Sequence, residues 1–502
     1  MSKIILFFLY IFTTFIVAQS KVIINEVESI NDINLKTIED EQNKVVGYYY
    51  FNEVEKMENK NRLFHLSVFD SDLNTLFEKK IEMIKRTHLK ELYVHQNKVI
   101  MLLANPKENE MQLIVSDFSN HELINEKIKL KEEEESIFEQ YQMNKEPNIA
   151  IIEGKGFVFL VPKQLSKISR DEYEPSWHRV GTEFRYYDNN ADLIWKSPYS
   201  KLENYNSFVY FNDVKRGKVS YTEFRKKDGE FSPMNTIFNL LDVEKNEIIA
   251  KVEYPRLTNN RIIDKVFIGE NETTILGRFW KNDRNPYAKE GSKGLFINKI
   301  KNNGNLIFDK NFSWEDDFSK YIDITKNGRI RKEGSLYPEF FFKDELDNYY
   351  IINELYENVV NVATFLVNTN MSTFRVGSIC AIKFDPTFNI SKVQIIPKEL
   401  TKRIVSILGT STSMAKYYYN LGYFDLIGST NNKITYLDKK RNDYTIIKLA
   451  LSNNDINVTK EKLEGEYDDF YIRSNNESRY TLVRYIKKSK QIILELKNYN
   501  LK

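Results

Sequence analysis

From Lys36 onward, apolar and polar positions alternate in short runs. A β-branched or aromatic run ends in a polar turn, and a second run follows. Next comes a group such as Asp70-Ser71-Asp72-Leu73-Asn74, then a third run closing in lysines and glutamates. Period-two runs bounded by Asn, Asp, Ser and Gly predict strands joined by tight turns, and the unit recurs about eight times.

The unit after the first shows the pattern most cleanly. Leu89–His95, Lys98–Ala104, Met111–Phe118 and Leu123–Leu130 read as four strands, with turns at Gln96-Asn97, Asn105-Pro106 and Ser119-Asn120. Alternation of Leu92 and Val94 with Glu91 and Tyr93 suits a strand covered on one face. The continuous apolar run at Lys98–Ala104 suits one packed on both. Comparable units span Leu35–Met83, Ile149–Tyr199, Phe208–Tyr254, Ile262–Trp314, Phe340–Pro397, Phe424–Lys462 and Asp469–Asn498. Leu73, Leu123, Leu193, Ile248, Leu306, Ile390 and Ile456 sit at the turn into the last strand, separated by 50, 70, 55, 58, 84 and 66 residues. The excess over the shortest spacing falls in insertions, near 162–180, 358–377 and 399–422. The last of these has helical spacing in Ile404, Ile407, Leu408, Ala415 and Tyr418.

The final unit offers only three strands. The segment Lys21–Glu28, with Val22, Ile23, Ile24 and Val27, otherwise has no partner and can supply the fourth. Pairing the two ends removes an exposed sheet edge. The expected fold is therefore all-β: a single β-propeller of about eight four-stranded blades, seven being the alternative count, closed by the mature N-terminal strand. Two separate sandwiches are the structural runner-up.

The N-terminus adds a compartment. Lys3 and the apolar stretch Ile4–Val17 read as a signal peptide, with Ile16 and Ala18 placed for cleavage after Ala18. Residues 1–18 are then removed and 19–502 form the propeller domain. The expected location is the periplasm, the outer-membrane surface or the extracellular space, with no integral membrane domain after cleavage. Without Lys3 the 73 basic residues fall to 72 against 71 acids, about +1. That balance excludes a nucleic-acid binder, which needs a basic surface to release counterions. An aromatic content of 14%, with 31 Tyr and 33 Phe, favours strands over helices. Cys380 is the single cysteine, so no internal disulfide forms, and its apolar neighbours make it a small buried hydrophobe.

At Gly294–Trp314 the sequence reads Gly-Leu-Phe-Ile-Asn-Lys-Ile, then Asn-Gly-Asn-Leu-Ile-Phe-Asp-Lys-Asn-Phe-Ser-Trp, followed by Glu315-Asp316-Asp317-Phe318. This resembles an uncharacterised family of exported proteins from Gram-negative bacteria, known only as a domain of unknown function. Phe340–Tyr350, Ile379–Pro386 and Tyr417–Phe424 carry the same resemblance. It implies export and a repeated β fold, and it carries over no functional residue.

No motif names a reaction. The histidines His65, His88, His95, His121 and His178 form no His-x-x-x-His pair, and His88 and His95, seven apart on one strand, are expected on opposite faces. Neither a Gly-x-Ser-x-Gly elbow nor a Gly-x-x-x-x-Gly-Lys loop occurs. Adjacent acids such as Asp316-Asp317 and Asp468-Asp469 are poor glycosidase pairs, because sequence neighbours point apart. No metal, cofactor or catalytic residue is assigned. Trp195, Trp280 and Trp314 read as packing residues. Trp177, His178 and Arg179 instead form a candidate ligand-binding loop inside the 162–180 insertion, able to stack on a sugar or peptide. The expected function is binding, with loops of a rigid platform holding a protein, peptide or glycan. The alternative is a hydrolase acting on an extracellular polymer at one mouth of the ring, and a purely structural envelope component is the third reading.

Overall fold

The computed structural model describes residues 21–25, 34–40, 45–57, 61–105, 107–108, 110–129, 147–164, 180–197, 205–227, 235–282, 291–360, 372–398, 401–405, 425–430, 433–440, 443–451, 456–462, 471–476, 479–486 and 488–498. Most strands fall where the period-two runs place them, although Tyr349–Val360 and Ser372–Phe384 both extend into the expected 358–377 insertion, and the described strands pair into eight antiparallel sheets. Sheet one is Asn34–Glu39, Val45–Lys56, Arg62–Asp70 and Thr75–Met83. Sheet two is His88–His95, Lys98–Asn105, Glu110–Asp117 and Glu122–Lys129. Sheet three is Ile149–Ile152, Gly156–Gln164, Val180–Asp188 and Leu193–Lys196. Sheet four is Tyr205–Lys215, Lys218–Lys227, Asn235–Asp242 and Glu247–Tyr254. Sheet five is Arg261–Ile268, Glu272–Phe279, Gly294–Lys301 and Leu306–Ser313. Sheet six is Gly334–Lys343, Tyr349–Val360, Ser372–Phe384 and Ile390–Ile396, extended by Arg329–Ile330 and Thr401–Val405. Sheet seven is Asp425–Thr430, Lys433–Lys440, Asp443–Leu451 and Ile456–Lys462. Sheet eight is Tyr471–Asn476, Arg479–Ile486 and Gln491–Asn498, and its fourth strand is Lys21–Ile24 from the other end of the chain.

The expected pairing of Lys21–Glu28 with the last sheet is present over Lys21–Ile24, and residues 26–28 lie outside the described residues. Lys21 stands opposite Glu495 and Ile24 opposite Ile492, while the Gln491 side-chain amide donates to Asn25 Oδ1. One expectation is corrected in part. Ile404, assigned to a helical spacing, lies in the strand Thr401–Val405, because the long strand Ser372–Phe384 runs past Ile390–Ile396 and offers its free edge there. Residues 406–424 lie outside the described residues, as do 1–18 with the signal sequence. The only described helical element is a 3-10 turn at Phe318–Lys320.

The chain divides into two compact units. One holds sheets one and eight and most of seven, and the other holds sheets two to six. Within the second unit, neighbouring sheets bury their facing residues against each other. Phe157, Phe159 and Val161 join sheet two's cluster, whereas Val158 and Leu160 join sheet four's. That is period-two alternation serving two cores from one strand. In the first unit, Ile24, Val483, Ile492 and Leu494 of sheet eight pack on Val45, Tyr48, Tyr50 and Phe69 of sheet one. First strands touch first strands in both units. This architecture is all-β and propeller-like.

The turns from third to fourth strands repeat one device. Asp70, Asp117, Asp188 and Asp385 each use Oδ1 to accept the backbone N–H groups two and four residues on. The residue three positions on then takes positive φ: Leu73 67°, Asn120 68°, Ala191 70° and Phe388 63°. Such a backbone normally favours Gly or Asn. Leu73, Ala191 and Phe388 accept it because their side chains plug into the core shared with the preceding sheet, so burial offsets the strain. The row Leu193, Ile248, Leu306 is thereby corrected: these residues are exposed at the start of outer strands, and the buried counterpart of Leu73 lies two positions before Leu193 and Ile390. Asp344, between the first two strands of sheet six, makes the same clamp while buried, and also accepts from the Tyr350 hydroxyl at 3.1 Å.

Three outcomes follow for stability. A chain lacking residues 1–28 should melt well below one lacking only residues 1–18 in calorimetry, because Ile24 and four residue pairings are lost. Asp344→Ala lowers stability by about 2–3 kcal/mol in urea titration, since several donors to a buried carboxylate lose their acceptor together. At Asp385, burial raises the pKa, but the N–H and side chain of Asn389 and of Thr387 outweigh it and the carboxyl titrates below its ordinary 3.8. At Asp117 the Ser119 hydroxyl and the His121 N–H lower it likewise. A depressed folded value means this stability is complete above the unfolded value and is lost as pH falls through the folded one. Acid unfolding profiles should therefore steepen below about pH 3.8, and Asp385→Asn should flatten that limb.

Candidate functional site

Every sheet has two kinds of strand end. At the turn end, strand one meets two and strand three meets four, and no connection exceeds five residues. At the loop end, strand two meets three and the last strand leads to the next sheet, and every longer connection emerges there. This follows from antiparallel order alone. Neighbouring sheets hold their turn ends together. His95 Nε2 lies 3.1 Å from Asn189 Oδ1, Lys155 pairs with Glu244, Arg216 with Glu270, and in the other unit Arg479 with Asp72. The Phe388 ring, in the turn of sheet six, packs tilted against Phe308 of sheet five, with 4.8 Å between centroids. The loop ends of sheets two to six consequently share a side, as ligand-holding loops on a rigid scaffold do.

Buried charges near the loop ends come as guanidinium–carboxylate pairs. Arg278 donates Nε and Nη2 to both oxygens of Asp264, at 2.9 and 2.8 Å. A bulge between Ile263 and Lys265 turns Asp264 out of the regular alternation towards that arginine. The Arg278 guanidinium also sits 5.2 Å from the Tyr337 ring and 5.5 Å from that of Trp280. Burial works against its charge, but Asp264 more than compensates and holds it above the ordinary arginine range. Arg185 binds Glu183 and Glu126, with Tyr187 donating to the same Glu126. Arg225 pairs with both oxygens of Glu223. Arg261 reaches Asp309, Asn311 and Asn298 beneath Tyr254 and Phe296.

Asp213, on the first strand of sheet four, differs. Burial raises its pKa, opposed by Lys265 and by the Ile268 N–H at 3.0 Å. Cys380 is buried and its thiol is pushed up to about 12, so it is not a nucleophile. Among the described residues no group of three or more His, Cys, Asp or Glu could hold a metal ion. The same bulge logic alters one histidine expectation. His88 faces Ala104 and His95 faces Lys98, with a register shift between Leu89 and Glu91. The extra residue brings both rings to one face, yet they remain at opposite ends of the strand, more than about 20 Å apart. Burial lowers the pKa of each.

Trp177, His178 and Arg179 lie outside the described residues; their segment joins Gln164 to Val180, both at the loop end of sheet three. Trp280 and Trp314 are buried just past the ends of their strands, as expected. Trp314 pins the connection to sheet six: its Nε1 donates to Ser292 Oγ, and Gly328, at φ +73°, lies so close that a Cβ would meet that nitrogen at 2.7 Å. The buried arginine pairs were not anticipated. The only sequence signal for them is charge on a run otherwise apolar, as in Ile263-Asp264 and Gly277-Arg278-Phe279. Among the described residues no helix is long and apolar enough to cross a membrane.

Asp264→Ala strands Arg278 without its counter-charge and should cost about 3–5 kcal/mol, read as a lower urea midpoint, whereas the double change Asp264→Leu with Arg278→Met should recover most of it.

Three solved structures illustrate what the chain is similar to. A prolyl endopeptidase matches with a TM-score of 0.38 and 11% identity, covering 95% of this chain and 56% of that one. The polysaccharide lyase Uly1 matches at 0.39 and 9%, covering 82% and 90%. Hsv2 of Kluyveromyces lactis matches at 0.37 and 8%, covering 88% and 98%. This chain thus spans little more than half of the prolyl endopeptidase. No curated protein matches it. A family model does, over residues 1–500, and the chain belongs to that family of unknown function, DUF6770.

Proposed function

We propose that this is an exported binding scaffold. Its eight sheets are the blades of one β-propeller, closed by the mature N-terminal strand, and its loop ends present a protein-, peptide- or glycan-binding surface. The observation that carries the reading is the asymmetry of the connections: short turns at one end of every sheet, clamped by an aspartate in sheets one, two, three and six, and all the long segments at the other. Rigid sheets with neutralised buried charge suit presentation, because a bound partner then costs little reorganisation. Trp177, His178 and Arg179 belong to one of the long segments and supply an aromatic face and a cation for stacking and hydrogen bonding. Export follows from the signal sequence at residues 1–18, with the periplasm, outer-membrane surface or exterior as destination.

The hydrolase alternative has one observation in its favour, the raised pKa of Asp213. A glycosidase needs a second carboxyl about 5–9 Å away. Of the described buried acids, Glu183 and Glu223 are tied to an arginine, Glu495 to Arg484 and Lys497, Glu354 lies 3.8 Å from Lys398, and Asp344 is held by backbone N–H groups and Tyr350.

Oligosaccharide and peptide arrays probed with the mature protein test the reading. At least one class should be retained, and the double variant Trp177→Ala with Arg179→Ala should weaken it by about tenfold or more at an unchanged melting temperature. Retention of nothing, together with depolymerisation of a polysaccharide that Asp213→Asn abolishes, would establish the enzyme in its place.

A further inference from the structure

We propose that Lys90 and Asn148 join in an intramolecular isopeptide bond, with Glu91 carrying the protons. The reaction needs an amine, a carboxamide and a carboxyl in contact and shielded from water, and these three residues meet where sheet two packs on sheet three. Lys90 and Glu91 are consecutive on the first strand of sheet two, so regular alternation would point them to opposite faces. The bulge between Leu89 and Glu91 makes Lys90 the extra residue and brings both side chains to Asn148. Asn148 stands one residue before Ile149–Ile152, the first strand of sheet three. The Lys90 and Glu91 side chains are 11% and 10% exposed, and Asn148 is 2% exposed.

Lys90 Nζ donates to Asn148 Oδ1 and lies 3.0 Å from Glu91 Oε1. The carbon it attacks, Asn148 Cγ, is one bond of about 1.2 Å behind the contacted oxygen. Asn148 Nδ2 donates to the Leu160 carbonyl at 3.0 Å, and the Asn148 carbonyl accepts the Leu160 N–H at 2.7 Å. These bonds hold the carboxamide in place and fix which of its ends is oxygen. Glu91 is held as firmly: Oε1 accepts the Asn148 N–H at 2.8 Å and Oε2 the Ile149 N–H at 3.0 Å. Reactants fixed in contact react as though at a very high local concentration.

Glu91 Oε1 takes one proton from the Lys90 ammonium. The electron pair this frees on Nζ attacks Asn148 Cγ and forms the Nζ–Cγ bond, with negative charge gathering on Oδ1. Glu91 hands its proton to Nδ2 and takes a second from Nζ. The Cγ–Nδ2 bond then breaks, and ammonia leaves with its electron pair, collecting the proton from Glu91 as it goes out as ammonium. An amide now links the two side chains, Glu91 is again a carboxylate, and nothing is oxidised or reduced. The link joins sheets two and three covalently. It supplies the constraint a disulfide would give, in a chain whose single cysteine, Cys380, can form none internally.

The test is a tryptic peptide map of the folded full chain, read by mass spectrometry. Trypsin does not cut after an acylated lysine, so residues 87–98 and 146–155 should appear as one branched peptide, about 17 Da lighter than the two combined. Glu91→Gln keeps an oxygen for the Asn148 and Ile149 N–H groups, and it should lower the linked fraction by about tenfold or more at an unchanged circular dichroism spectrum. Lys90→Arg should form no branched product. Separate peptides 87–90, 91–98 and 146–155 from the wild type overturn the proposal, and that measurement needs no variant to fold. A branched product in Lys90→Arg overturns it too, because the bond then lies elsewhere. A link that forms equally in Glu91→Gln overturns the role of Glu91.

Discussion

The structure depends on a plug between sheets. A sheet of four strands has two apolar faces, and neither can be covered by its own residues. Leu73, Ala191 and Phe388 solve this locally by dropping a side chain from the outer turn of one sheet into the core of the sheet before it. Each does so from a left-handed backbone that only an external clamp makes tolerable. The clamp is an aspartate four residues before the end of the turn. Turn chemistry and inter-sheet packing are thus one interaction viewed at two scales. Val243 fills the same role between sheets four and three, where its carbonyl also receives the indole N–H of Trp195.

The plug confines change to one end of each sheet that carries it. At the turn ends, an inserted residue would break the clamp, move the plug and open the core between two sheets. At the loop ends no aspartate clamp of this kind is found among the described residues, and long segments are inserted there at little cost in closure entropy. The buried arginine pairs have a related logic. Strands that pack on both faces leave little room for water, so each inward charge must bring its own counter-charge. Arg278, Arg185 and Arg225 do so with carboxylates on the same or adjacent strands. The bidentate Arg278–Asp264 pair also ties two strands of sheet five together, and Arg185 links sheet three to Glu126 of sheet two, adding specificity to sheets whose hydrophobic contacts are otherwise interchangeable.

Much of the fold was legible because period-two patterning is local. The four strands of sheet two, Asn34–Glu39 in sheet one and Ile149–Ile152 in sheet three can be read from their own residues within a position or so. The repeat was harder to align. Leu73, Leu193 and Ile390 look equivalent because all are aliphatic and precede or open a last strand. The equivalence that matters starts from Asp70, Asp188 and Asp385, and aligning on the aspartates would have found Ala191 and Phe388. Bulges were illegible for a physical reason: an extra residue such as Lys90 or Asp264 is chosen by the partner strand, and it inverts every parity argument beyond it. That is why His88 and His95 share a face against the expectation from their odd separation.

By itself, then, the sequence determined the all-β class of fold and the need of the last unit for a fourth strand, which Lys21–Ile24 supplies, while it left the number of units at about eight with seven as the alternative. Each of these follows from local alternation and from the counting of unpaired edges. Only the tertiary structure decided which turn residue is buried, which arginine meets which carboxylate and that the loop ends of the strands of sheets two to six share a side. Those outcomes depend on register between strands and on contacts between sheets, and a pattern within one strand holds no record of the neighbour it will meet.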